Sequence, residues 1–148
     1  MSVATPQLQK IKDKAVINDA TDSFLLLNGK IIEVGEVAGN IRIVNFRINK
    51  GVLSVDSEGD KVIFSLENTN LKFSEPGSSI EEGDITYRTE EYGKRFTVSL
   101  DLTYEGFDIT YKGNSELKVL HNGLHKIKLE NQGFDEGSGK TKLDISLI

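Results

Sequence analysis

The chain contains no cysteine and no tryptophan, and only one methionine, two prolines and four alanines in 148 residues. Without cysteine there is no disulfide framework, thiolate nucleophile, iron–sulfur cluster or cysteine-type zinc site. Long apolar runs are missing too. The longest, Phe24 to Leu27, falls far below the ~18 residues of a membrane-spanning helix. Residues 1–20 carry Lys10, Lys12, Asp13 and Lys14, where a secretory leader would place its apolar stretch. Basic charge is not in excess either: 18 Lys plus Arg against 23 Asp plus Glu leave a net charge of −5. Affinity for nucleic acid comes from concentrated Lys and Arg. The expectations are therefore no nucleic-acid partner, no membrane and no cofactor. A cytoplasmic location is expected, although non-classical export or packaging in a virion would leave the same marks.

What replaces alanine is informative. Ile, Val and Thr number 14, 10 and 9. β-Branched side chains lose rotamer freedom in a helix but suit a pleated surface. The length fits one domain, residues 1–148, with enough core to fold without a metal or disulfide. One short helix is outlined at the start, with Thr5 as N-cap, Pro6 at the first helical position and Leu8, Ile11 and Ala15 as a modest apolar stripe. At about ten residues it would need something to pack on.

Strand signals dominate the rest. From Arg95 to Tyr104, Phe96, Val98, Leu100, Leu102 and Tyr104 alternate with polar neighbours, the period of a strand with one buried face. A two-residue turn at Glu105-Gly106 would set Tyr104 opposite Phe107 and Leu102 opposite Ile109. Similar arithmetic closes a loop over Asn49–Val52 and sets Phe46 opposite Val55. A loop over Ser57–Asp60 sets Val55 opposite Val62, Leu53 opposite Phe64 and Asp56 opposite Lys61. A turn at Asn68-Thr69 pairs Leu66 with Leu71 and Phe64 with Phe73. Asn28-Gly29 is a strong hairpin signal joining Phe24–Leu27 to Lys30–Val34. A loop over Gly113–Ser115 sets Tyr111 opposite Leu117, and residues 141–148 turn Leu143, Ile145 and Leu147 inward. The sum is an all-β antiparallel meander of about a dozen short strands, closed as a barrel or curled as a sandwich. The barrel is favoured because few connections look long enough for crossovers. Glu75–Gly83 and Asn131–Lys140 are expected as surface loops and as places for a binding site.

Several motifs resemble chemistry and are better explained otherwise. His121 and His125 invite a metal reading, but strand geometry puts His121 in a turn and His125 on the buried face among aliphatics, so no shared ion is expected. A hydrogen bond to a neighbour is the expected role of His125. Gly137-Ser138-Gly139-Lys140-Thr141 resembles the end of a phosphate loop. The leading glycine is replaced by Phe134, and a strand follows where a helix is required. Asp56, Glu58, Asp60 and Glu67 have the spacing of a calcium loop, but Lys61 stands where that loop needs glycine. Glu81-Glu82 and Glu90-Glu91 read as solvated loop charge rather than a glycosidase pair. The register brings Arg88 opposite Arg95 and Lys118 opposite Lys126, unfavourable pairs unless their side chains spread into water.

No nucleophile arrangement emerges. The reading is a non-catalytic structural, assembly or protein-binding module that works through its surface, with a protein partner or self-association at exposed sheet edges. The alternative is a carrier with a small apolar ligand inside a barrel, where Tyr87, Tyr104, Tyr111 and His125 supply polar contacts.

Overall fold

The computed structural model describes residues 5–148, with side chains from Gln7 onward. The cap role read for Thr5 therefore lies outside the described side chains. Residues Thr5–Gly35 form one 31-residue helix, α1. Its inner stripe is Asp13, Ile17, Ala20, Phe24, Leu27, Ile31 and Val34, all buried. Spacings of three and four keep these side chains on one face of a helix. This overturns both the short helix and the hairpin at Asn28-Gly29. Gly29 is a helix-interior residue on the outer side, and nothing lies within 4 Å of where a Cβ would stand. The helix ends against a ring: a Cβ at Gly35 would collide with Phe107, so glycine permits the close approach.

Ten strands follow among the described residues: β1 (Ile41–Ile48), β2 (Val52–Asp56), β3 (Lys61–Thr69), β4 (Ser79–Glu82), β5 (Ile85–Tyr92), β6 (Arg95–Thr103), β7 (Phe107–Tyr111), β8 (Leu117–Leu120), β9 (Gly123–Asp135) and β10 (Lys140–Leu147). They form two sheets rather than a closed barrel. The first has the order β1-β9-β10-β7 and the second β4-β5-β6-β3-β2-β8. Inner side chains from both sheets join the α1 stripe in one core. Phe24 of α1 meets Phe46 of β1 edge-on, with ring centroids 6.0 Å apart.

The Ser57–Asp60 hairpin has the expected register, Val55 opposite Val62, Leu53 opposite Phe64 and Asp56 opposite Lys61. The inner face of β6 is also as read, with Val98, Leu100 and Leu102 buried. So is that of β10, where Leu143 and Ile145 are buried. Four of the expected hairpins, and the pairing implied by Lys118 opposite Lys126, are instead passages between different partners. β1 pairs with β9, not β2. β3 pairs with β6, and residues 70–78 are irregular rather than a return strand. β7 runs parallel to β10 instead of turning back on β6. β8 pairs with β2, not with β7 or β9. The like-charge pairs disappear with these registers: Arg88 faces Ser99 and Lys118 faces Val55. Both expected surface loops are shorter than read, because Ser79–Glu82 is strand β4 and β9 continues to Asp135. Glu81-Glu82 and Glu90-Glu91 accordingly lie in strands β4 and β5.

Asp60 ties the two sheets together. It has a left-handed backbone (φ 52°), and its carbonyl accepts the Tyr104 N–H at 2.9 Å. One carboxylate oxygen accepts the Ile109 N–H of β7 at 2.9 Å. The other accepts from Lys140 Nζ of β10 at 2.8 Å.

Candidate functional site

The four residues read as an interior ligand shell do not converge. Tyr87 is buried on β5, stacked on Phe73 with centroids 5.6 Å apart, and its hydroxyl lies 3.3 Å from Thr21 Oγ1. Tyr104 donates to Asn28 Oδ1 at 2.8 Å, and Asn28 Nδ2 donates to Asp84 Oδ2 at 2.8 Å. Burial pushes the Tyr104 hydroxyl well above its ordinary pKa, and the nearby Asp84 charge adds to the effect. These two tyrosines thus anchor α1 at points about two turns apart. Tyr111 is in the other sheet, with Lys112 and Lys118 near its ring. His125 Nε2 lies 2.7 Å from the His121 carbonyl, the hydrogen-bonded role expected for it, while His121 is exposed. The space beneath the helix is occupied by Phe24, Phe46, Phe64 and their aliphatic neighbours.

The remaining motifs take local structural roles. Gly137–Gly139 is the turn between β9 and β10, and Lys140 opens a strand rather than a helix. Asp56 Oδ1 accepts the backbone N–H groups of Glu58 and Gly59, both at 3.1 Å, which fastens its own turn.

Two surface features stand out instead. The first is a cleft of about 560 Å³ between the opening turns of α1 and residues 71–73, lined by Gln7, Lys10, Ile11, Lys14, Leu71, Lys72 and Phe73. Its walls are fixed from inside the protein. Buried Asp13 accepts from Thr69 Oγ1 at 2.6 Å, from Lys50 Nζ at 2.8 Å and from Gln9 at 2.9 Å. Thr69 Oγ1 in turn accepts the Leu71 N–H at 3.0 Å. Thr89 Oγ1 accepts the N–H groups of Phe73 and Ser74, both at 3.0 Å. Side-chain oxygens thus supply the partners that a neighbouring strand would otherwise give this segment. Burial alone would raise the Asp13 pKa, but hydrogen bonds from Lys50, Thr69 and Gln9 outweigh it and hold the carboxyl below its ordinary value.

The second feature is apolar and exposed. On the outer side of α1, Leu25 and Leu26 are each 54% exposed and Ile32 is 46% exposed. On the outer side of β1, Ile41 and Ile43 are 45% and 57% exposed. Arg42 Nε reaches Glu33 Oε1 at 3.0 Å, which sets the start of β1 beside the last turns of α1. β1 pairs with β9 along one side and borders no other strand among the described residues. Sequence reasoning missed the apolar face because it made strands of residues 24–34, and the cleft because it made a return strand of residues 71–73, which are irregular. The signal was there: a helix that buries Phe24, Leu27 and Ile31 turns Leu25, Leu26 and Ile32 away from the core. Comparison with protein-family models, curated proteins and solved structures returns no match for this chain.

Proposed function

We propose that this chain is a non-catalytic assembly module that docks on protein through the outer face of α1 and the open side of β1. The exposed leucines and isoleucines of these two elements carry the reading. A row of unpaired strand N–H and C=O groups beside apolar side chains is a template for a further strand or a packed face. A second copy of the chain meets both requirements, since each copy brings the same edge and the same helix face. The edge then supplies backbone hydrogen bonds while Leu25, Leu26 and Ile32 on the helix side, and Ile43 on the opposite face of the sheet, exclude water.

Sedimentation across a wide concentration range tests this directly. The native chain is expected to self-associate, and a Leu26→Lys, Ile43→Lys double variant is expected to stay monomeric with an unchanged circular dichroism spectrum. Both residues are exposed, so the substitutions leave the core intact. A native chain that remains monomeric at every concentration, or a variant that associates equally well, would overturn self-association through this surface.

A further inference from the structure

We propose that the cleft between the start of α1 and residues 71–73 binds an amphipathic anion, a carboxylate or sulfonate head on a flexible apolar body. The α1 wall follows from helical spacing, since positions 7, 10, 11 and 14 lie on one sector. That sector offers Lys10 and Lys14 around Ile11, whose side chain is 66% exposed. The opposite wall offers Lys72 between buried Leu71 and half-buried Phe73. Three lysines therefore rim an apolar floor, and no acidic residue lines the cleft. In a chain with a net charge of −5, this is a local reversal of sign. Among the described residues, Lys10 and Lys14 have no carboxylate within salt-bridge distance, and Lys72 meets only Glu75, at 3.8 Å.

Size and rigidity agree with this assignment. A volume of about 560 Å³ lies within the ~300–1,000 Å³ of small-molecule sites. Phe73 is held by its stack on Tyr87 and by the bond from its N–H to Thr89. The Asp13–Thr69–Leu71 chain fixes the two walls relative to each other. A preformed cleft avoids the ordering cost that weakens binding to mobile surfaces. A second cleft of about 300 Å³, lined by Lys72, Phe73, Ser74, Glu75 and Ile80, shares Lys72 and Phe73 with it. A cationic amphiphile would meet the same floor but a repelling rim.

Amide chemical-shift mapping with decanoate tests the site on the full chain, with decyltrimethylammonium as the cationic control. Decanoate is expected to shift residues 10–14 and 71–73 saturably, and the cation is expected not to. A Lys14→Glu, Lys72→Glu variant is expected to bind decanoate roughly tenfold more weakly, the loss of about one charge-assisted contact. Its thermal transition should match that of the native chain, because both lysines are exposed. Equal binding of the cation would overturn the proposal. So would an unchanged affinity in the variant, shifts confined to Leu25, Leu26 and Ile32, or binding to anionic vesicles without binding to monomeric decanoate.

Discussion

Asp13 carries a charge into the protein interior because three donors meet it there. Removing the carboxylate in Asp13→Ala leaves the Thr69 hydroxyl without its acceptor and releases the wall built on Leu71. The expected loss is roughly 2–3 kcal/mol, the scale for breaking a buried hydrogen-bonded charge. Its pH dependence has a definite sign. The folded-state pKa lies below the ordinary value of 3.8, so the charge stabilises the fold above that value. This contribution fades as pH falls through the folded-state pKa. Urea midpoints of native and Asp13→Asn protein should therefore differ at neutral pH and converge in strong acid. Little of this was legible beforehand. In the sequence Asp13 is one of several charges that argue against a secretory leader, because its partners Thr69 and Lys50 are distant and only the fold brings them near.

The α1 helix shows how a local template competes with a long period. Asn28-Gly29, joining Phe24–Leu27 to Lys30–Val34, is the strongest short hairpin signal in the sequence. The helical stripe becomes visible only when Ile17 through Val34 are read together. The two readings make opposite predictions for Gly29→Ala. In a hairpin of that type, Gly29 would need a positive φ and alanine would destabilise it. In the helix, Gly29 lies on an open outer surface, and alanine should stabilise the protein by about 0.5–1 kcal/mol. A thermal melt decides between them. Asn28 is the reason the sequence tolerates a poor helix former: buried, it links Tyr104 to Asp84. The strands were more legible one by one. β6 and β10 announce themselves because alternation depends on nothing beyond the strand itself.

At the scale of the whole molecule, alternation identified inner faces but not partners. A tight turn within one sheet and a passage to the facing sheet both keep apolar groups pointing inward, so parity cannot separate them. Asn49–Val52 and Glu105-Gly106 are such passages, although each has the local pattern of a turn. The Ser57–Asp60 hairpin has the register its sequence pattern implies because there the chain does return on its neighbour. Its last residue then takes on a role that a two-strand reading cannot show. Asp60→Ala is expected to destabilise the protein by roughly 2 kcal/mol, since the Ile109 N–H loses its acceptor. Lys140→Ala removes only a solvent-reachable partner of the same carboxylate and is expected to cost little. Chemical denaturation of the two variants checks the ordering, and equal losses would place the tie in the ion pair instead.

The pairing of β1 with β9 also constrains the order of events during synthesis. Residues 41–48 leave the ribosome long before residues 123–135 exist to pair with them, whereas β2, β3, β5 and β6 follow one another closely. The nascent chain can thus assemble much of one sheet while β1 waits without the strand it pairs with. Pairing between such distant segments is slow, and a polypeptide interrupted before β9 keeps an orphan strand prone to clumping.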